Sequence, residues 1–532
     1  MSAAHSAPPP IVWSIAGTDS GGGAGLAADL RAADAFGVHL CPVVAVVTAQ
    51  HSRAVTRIEP VAPDLLEAQL AALAEDMPPR VIKTGLLGSA AQVRCVARWV
   101  DRLREAGPLA LVVDPVLRAS SGASFADAAL LAAYRDALLP RATLVTPNRA
   151  EAARLLGLDG ADAADVGAVA NDSDLPALAR ALQALGTQSV AITGGDSPDA
   201  EGQVLDWIAT PQAAGWLAAP RIGTPRTHGT GCTFASSAAA ALALGFVPAD
   251  ALVLAKMATL HALRRAQPAG RGAGPVRAAE GFGADPALLP QLSWGEAPCF
   301  AAPRPGTGRT PLGLYAIVDS AERVRQVLAA GVRTVQLRIK CDHSDAPALA
   351  AEIRAAIAAC EAAGAQLFVN DHWRLAQGLG AGGVHLGQED LLALGEAGRA
   401  ALREAGLPLG ISSHSLWELA RARALAPRYI ACGPVWPTLT KAMPWCPQGL
   451  HNLAWWCAVA GAPVVAIGGL LAPEQFVQAA QCGADGACAV RVLGDDPALT
   501  VPPLQQALAR GRAAPRWPVP ALPRPSLPGP DA

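Results

Sequence analysis

The sequence predicts two α/β units in tandem: an open, mostly parallel sheet, then a closed eight-stranded barrel of βα units. Three observations carry this. Short apolar runs alternate with amphipathic helical stretches, the pattern of strands joined by crossover helices. In the second half these runs number eight, and each ends in polar or glycine residues. Between the halves Gly and Pro recur and the periodicity fades. The length of 532 residues suits two or three domains at about 150 each. Hydrophobic residues at 52% against 16% charged are ample for buried cores.

In the first half, strands are expected at 11–16, 42–47, 81–84, 111–116, 144–146, 190–193 and 204–208. Helices are expected between most of them, as at 65–74 and 177–185. In the second half, strands are expected at 314–319, 335–340, 367–371, 384–388, 409–413, 429–434, 464–469 and 486–491. Eight βα units in about 200 residues is the count of a TIM barrel, whose chemistry sits at the C-terminal strand ends. We divide the chain into a first domain at 1–285, a linker at 286–310, a barrel at 311–512 and a frayed Pro-rich tail at 513–532.

Composition excludes several functions. A net charge of −2 gives no electrostatic case for nucleic acid or an anionic membrane. The first basic residue is Arg31, and the apolar run 11–17 stops at Thr18-Asp19, so a signal peptide is not expected. No run of ~20 apolar residues offers a membrane span. The 11 cysteines are scattered, without Cys-x-x-Cys pairs or Cys/His ligand spacing, which suits reduced thiols in the cytoplasm. There are four lysines, Lys83, Lys256, Lys340 and Lys441, and three fall within motifs.

The most informative motif is Thr227-His228-Gly229-Thr230-Gly231-Cys232-Thr233-Phe234, ahead of an Ala-rich run at 235–244. Glycines admit a close backbone approach, and free N–H groups at a helix start bind anionic oxygens. A second loop, Ala16-Gly17-Thr18-Asp19-Ser20-Gly21-Gly22-Gly23-Ala24-Gly25, accompanies it. Together they resemble the hydroxymethylpyrimidine/phosphomethylpyrimidine kinases of thiamine biosynthesis, in the ribokinase-like superfamily, over roughly residues 11–285.

The resemblance implies phosphoryl transfer from MgATP. It places Gly229, Thr230 and Gly231 on phosphoryl oxygens, and Cys232 as the base, a thiolate favoured by the helix N-terminus. The alternative for Cys232 is a small packing residue. Asn148 and Glu151 would help place Mg²⁺ and phosphate; a helix-capping box is their alternative, and the two roles are compatible. Thr193 and Gly194 fall on the nucleotide loop, with Thr193 where relatives often carry Lys. Gln50 would recognise the aminopyrimidine, an amide matching a ring nitrogen beside an amino group. Thr18 and Asp19 would wall that pocket, and Val116 would cover it. Lys83 has a plain alternative as a carboxylate or helix-dipole partner.

Four further motifs follow in order: Gln336-Leu337-Arg338-Ile339-Lys340, Asn370-Asp371-His372-Trp373, His385-Leu386-Gly387-Gln388-Glu389-Asp390, and Gly433-Pro434-Val435-Trp436-Pro437-Thr438-Leu439-Thr440-Lys441. They resemble thiamine phosphate synthase over roughly residues 312–510. That reaction displaces pyrophosphate from a pyrimidine diphosphate by a thiazole nitrogen, so the leaving charge must be neutralised. The resemblance assigns Asp371 and Asp390 to Mg²⁺ through hard oxygens; N-capping is their alternative. It assigns Gln336, Arg338, Lys340, Asn370, Ser412 and Lys441 to the pyrimidine diphosphate. Thr438, Thr440, Gly469, Val490 and Arg491 would hold the thiazole phosphate, with Arg491 where Ser is common.

The expected partners are thus small molecules: hydroxymethylpyrimidine, ATP and thiazole phosphate, with a homo-oligomer left open. Two rivals remain. The first half could be a pyridoxal-type vitamin kinase, and the barrel could be a non-catalytic ligand sensor.

Overall fold

A computed structural model of the chain describes residues 8–117, 127–158, 174–195, 202–302, 311–340, 346–438 and 444–528. The chain divides into two compact units, residues 1–283 with 287–298 forming most of the first and 299–527 most of the second.

The first unit holds ten strands in one sheet: β1 (Ile11–Gly17), β2 (His39–His51), β3 (Ala54–Pro60), β4 (Val81–Thr84), β5 (Ala110–Val113), β6 (Leu144–Val145), β7 (Val190–Ile192), β8 (Gln203–Ala209), β9 (Ala214–Pro220) and β10 (Gln291–Leu292). Its centre, β2-β1-β4-β5-β6-β7, is parallel. Antiparallel β3 extends one edge, and β8, β9 and β10 extend the other. The seven strands expected from sequence are present, and β3, β9 and β10 are additional. β3 is an edge strand with no buried residue, so it lacks the apolar alternation that would announce it.

The second unit is a closed parallel barrel of β11 (Gly313–Val318), β12 (Thr334–Leu337), β13 (Gln366–Asn370), β14 (Val384–Leu386), β15 (Leu409–Ser413), β16 (Tyr429–Cys432), β17 (Val464–Ala466) and β18 (Gly486–Ala489). All eight expected strands are there. Strands this short and mostly buried leave only a brief apolar run, which is why counting runs succeeds. Leu312, Tyr315, Ile317, Phe368, Tyr429, Ala431, Val465 and Cys488 fill the interior.

Two expectations are corrected. The stretch 286–310 is not wholly a linker. β10 pairs with β9, Ser293 N–H donates to the Trp216 carbonyl (2.9 Å), and Trp216 Nε1 donates to the Glu296 carbonyl (2.6 Å). Nor is the described stretch 513–528 frayed. Trp517 N–H bonds the Gln481 carbonyl (3.0 Å), Cys446 N–H bonds the Ser526 carbonyl (2.8 Å), and Asn452 binds the Arg524 backbone in both directions. Proline blocks regular structure, yet its chain can still pack when its carbonyls find donors. Among the described residues no helix is long and apolar enough to cross a membrane, and the cysteines are free.

Candidate active sites

In the first unit the two glycine loops meet. Asp19 folds the first by accepting from the N–H groups of Gly21 (2.8 Å), Gly23 (2.9 Å) and Ala24 (2.8 Å). His228 of the second loop reaches back to Asp19, Nε2 to Oδ2 at 2.8 Å. Burial works against the Asp19 charge, but the His228 bond and the loop N–H groups hold its carboxyl below the usual range. Gly229, at φ 85°, caps the helix Thr230–Ala243, and a Cβ there would stand 2.2 Å from the Gly23 carbonyl oxygen. Only glycine permits that approach. Gln50 points its amide at His228 (3.4 Å), and Thr18 is tied to Thr48 by two hydrogen bonds. The structure thus brings Thr18, Asp19, Gln50 and the Gly229–Gly231 helix start together. His228 is the residue that sequence reasoning passed over, although it lies inside the quoted motif.

Cys232 is the third residue of that helix and lies half-buried. It stands above a buried cluster. Lys83, wholly enclosed, bonds Asp29 at 3.0 and 3.1 Å and faces Asp114 at 3.5 Å. Ser14 and Ser236 also donate to Asp29. Lys83 therefore has the carboxylate-partner role. Burial stands against the expected thiolate, pushing the Cys232 thiol up to about 12; Lys83 opposes, and Asp114 and Asp29 raise it further. Burial is the largest cause, and two carboxylates stand with it against one ammonium. Burial also raises Asp114 to about 6, offset in part by Lys83.

Asn148 and Glu151 form the capping box that was their alternative. Asn148 Oδ1 accepts from Glu151 N–H (2.9 Å), and Glu151 Oε2 accepts from Asn148 N–H (3.0 Å). Asn148 is bridged to Thr193, so the two expected nucleotide-side loops are neighbours. Gly194 N–H donates to Asp206 Oδ1 (3.0 Å), and Lys256, buried, holds Asp206 Oδ2 at 2.6 Å. Sequence gave no sign of this brace. Val116 is half-buried beside Asp114, at the end of β5.

In the barrel, the expected residues gather at the C-terminal strand ends. Gln336 lies one residue before the end of β12, with Arg338 and Lys340 exposed just beyond the strand. Asn370 ends β13, and Asp371 follows at φ 65°. A non-glycine residue there is strained, and such strain tends to mark functional sites. Asp371 does not cap a helix; His372 has that position. Partial burial, then the nearby Asp390, raise the Asp371 carboxyl, with Arg338 and His372 in opposition. Asp390 accepts from Gly387 N–H (2.9 Å), so it caps as well. Two carboxylates that repel each other, both open to solvent, are a donor set that fits a hard divalent cation retaining waters. Among the described residues no three His, Cys, Asp or Glu side chains cluster as a metal site.

The loop after β16 lies against the loop after β17. Val435 N–H bonds the Ile467 carbonyl (2.9 Å) and Trp436 N–H bonds the Gly468 carbonyl (3.1 Å). This sets Gly469, at φ 74°, within van der Waals reach of the 436–437 backbone, close to the half-buried Thr438. Thr440 and Lys441 lie outside the described residues. Val490 and Arg491 are exposed after β18. Beneath the mouth runs a chain that sequence reasoning missed. Gln336 Nε2 donates to Tyr315 Oη (3.3 Å), Tyr315 meets Tyr429 (2.5 Å), Tyr429 meets His385 Nδ1 (2.8 Å), and His385 Nε2 meets Ser412 Oγ (2.9 Å). Burial, with Arg338 adding, lowers His385 to about 4, so its ring is neutral.

The phosphomethylpyrimidine kinase family matches residues 19–277, and the thiamine monophosphate synthase family matches residues 314–493. A protein of Oryza sativa subsp. japonica, named a probable thiamine biosynthetic bifunctional enzyme, chloroplastic, is 35% identical over 486 residues, spanning 88% of this chain and 82% of its own. A hydroxymethylpyrimidine/phosphomethylpyrimidine kinase of Synechococcus elongatus is 41% identical, covering 50% of this chain and 96% of its own. A thiamine-phosphate synthase of Rhizobium etli is 50% identical, covering 34% and 87%. A solved pyridoxal kinase from Staphylococcus aureus, in complex with pyridoxal, is 28% identical over 51% of this chain and 93% of its own, at a TM-score of 0.44. With both family matches in order on one chain and a relative alike across both, the chain belongs to the thiamine biosynthetic bifunctional enzymes, a phosphomethylpyrimidine kinase unit followed by a thiamine monophosphate synthase unit.

Proposed function

We propose that the first unit phosphorylates 4-amino-5-hydroxymethyl-2-methylpyrimidine and then its monophosphate from MgATP. The barrel couples the resulting diphosphate to thiazole phosphate, giving thiamine phosphate and pyrophosphate. The observation that carries this is the likeness, across both units, to a bifunctional relative at 35% identity over 486 residues. The pyridoxal-kinase and sensor readings gain no comparable support.

In the kinase, Gln50 holds the aminopyrimidine against the wall of Thr18 and Asp19, with Val116 covering it. Gly229, Thr230 and Gly231 present the helix start to the transferring phosphoryl group. Asn148, Glu151, Thr193 and Gly194 line the nucleotide side. Phosphoryl transfer through a loose transition state is mostly positioning and charge stabilisation. Cys232 meets the acceptor hydroxymethyl as a neutral thiol and orients it, and the hydroxyl proton passes to an oxygen of the transferred phosphoryl group as the new O–P bond forms and the bond to ADP breaks. In the barrel, the C–O bond to pyrophosphate breaks and takes its electron pair, while the thiazole nitrogen lone pair forms the new C–N bond. Asp371 and Asp390 would hold Mg²⁺, which supplies positive charge to the leaving group. Arg338, Lys340 and Lys441 take its remaining oxygens. Gln336, Asn370 and Ser412 orient the pyrimidine diphosphate, and Thr438, Thr440, Gly469, Val490 and Arg491 seat the thiazole phosphate. We place this chemistry in the cytoplasm; the plant relatives carry a chloroplastic label.

The test is a coupled assay of the purified chain with hydroxymethylpyrimidine, ATP, Mg²⁺ and thiazole phosphate. Thiamine phosphate is the expected product; turnover of pyridoxal in preference to the pyrimidine would overturn the kinase half.

A further inference from the structure

The buried polar chain in the barrel has a direction. A hydroxyl owns one proton, and a neutral imidazole offers one donor and one acceptor. Gln336 donates its amide N–H to Tyr315; either hydroxyl of the Tyr315–Tyr429 pair can donate, and a Tyr315 donor is the arrangement that gives its buried proton an acceptor within the row. The Tyr429 proton then goes to His385 Nδ1, which leaves the ring proton on Nε2 and aims it at Ser412 Oγ. Ser412 already accepts within the chain, so its own proton points out of it.

The chain is built, not incidental. Tyr315 and Tyr429 are 1% and 0% exposed. Gly410 makes the room: a Cβ there would come within 2.2 Å of the Tyr429 ring. His385 and Tyr429 rings lie nearly parallel, at 19°. A fully enclosed row of polar groups costs stability unless each is satisfied, and here each has its partner.

We propose that Tyr315, Tyr429 and His385 are positioning residues of the synthase, fixing Ser412 as a hydrogen-bond donor toward its substrate. The substrate atom opposite Ser412 is then an acceptor, a ring nitrogen or a phosphate oxygen of the pyrimidine diphosphate, and not its amino group. This rests on the reading that Ser412 faces that substrate.

Two measurements on the full chain test it. First, Tyr429→Phe, Ser412→Ala and the double variant are compared in the synthase assay with supplied diphosphate. Tyr429→Phe should raise KM for the diphosphate by about 10-fold, the scale of one hydrogen bond, with kcat changed less than about 3-fold. KM for thiazole phosphate should stay unchanged. The double variant should be no worse than Ser412→Ala, because Tyr429 acts through Ser412. Additive losses, or an unchanged KM, overturn the proposal. Second, ¹⁵N NMR of the histidine rings, assigned by the signal lost in His385→Asn, should show the Nε2–H tautomer; an Nδ1–H ring reverses the polarity and overturns it. This readout needs no turnover. Wild-type protein that makes no thiamine phosphate, yet shows the Nε2–H ring, would instead sink the functional reading.

Discussion

Cys232 changes meaning once its neighbours are known. A cysteine at a helix start suggests a thiolate, but that inference sees only the helix. Burial among groups from distant parts of the chain raises the thiol, with Lys83 opposing and Asp114 and Asp29 adding to it. Cys232→Ser should therefore keep pyrimidine phosphorylation within about 10-fold, since a hydroxyl can orient the acceptor too; a loss of roughly 10² would reinstate a base. Iodoacetamide at pH 8 should label exposed Cys299 well before Cys232, because the thiolate is the reactive form. Within the cluster, Asp114 is poised to change charge near neutrality, ionising as pH rises through about 6. Kinase kcat/KM should fall as pH drops through that value, and Asp114→Asn should abolish that limb; a limb unchanged in the variant belongs to another group. In the barrel, Asp371→Asn should weaken the apparent Mg²⁺ affinity of the synthase by roughly 10-fold or more and leave the kinase alone. An identical Mg²⁺ titration would make Asp371 structural. Asp19, the glycines and Asp371 were legible because their chemistry is local to a motif. His228 was not, because its importance lies in the bond to Asp19, 209 positions away.

At the scale of elements, short buried strands and helix starts announce themselves, and braces between elements do not. β11 to β18 were countable because each is an apolar run ending in polar residues. β3 hides among exposed residues, and two-residue β10 carries too little pattern to see. The Lys256–Asp206–Gly194 brace joins a helix, a strand and a loop through side chains that look ordinary in sequence. It fixes the Gly194 backbone, which we propose lines the nucleotide side, where a Cβ would strike the Leu205 carbonyl oxygen at 1.9 Å. Lys256→Met keeps most of the stem but loses the charge that holds Asp206. KM for ATP should rise by about 10-fold, the scale of a charge-assisted bond, with KM for the pyrimidine little changed. Equal loss for both substrates would indicate general destabilisation of the unit.

For the whole molecule, each unit owns a complete sheet or barrel, so each should fold and act alone if cut in the right place. Sequence composition alone would put the cuts at 285 and 512, where Gly and Pro thicken. Packing moves both. A fragment ending at 285 loses β10 and the Ser293–Trp216 and Glu296–Trp216 bonds, leaving the β9 edge and the Trp216 indole unpartnered. A barrel ending at 512 loses the backbone partners of Gln481, Cys446 and Asn452. Each unmade bond in a buried setting costs about 1–3 kcal/mol. Residues 1–298 should therefore phosphorylate the pyrimidine with full-length kcat, and residues 299–532 should make thiamine phosphate from supplied diphosphate. Residues 1–285 and 311–512 should unfold at a lower temperature by several degrees at least. Differential scanning calorimetry on the four fragments, with the two assays, decides it. Equal melting temperatures for the long and short forms would restore the linker and the frayed tail. Folded long fragments without activity would mean that the two units complete one another's sites.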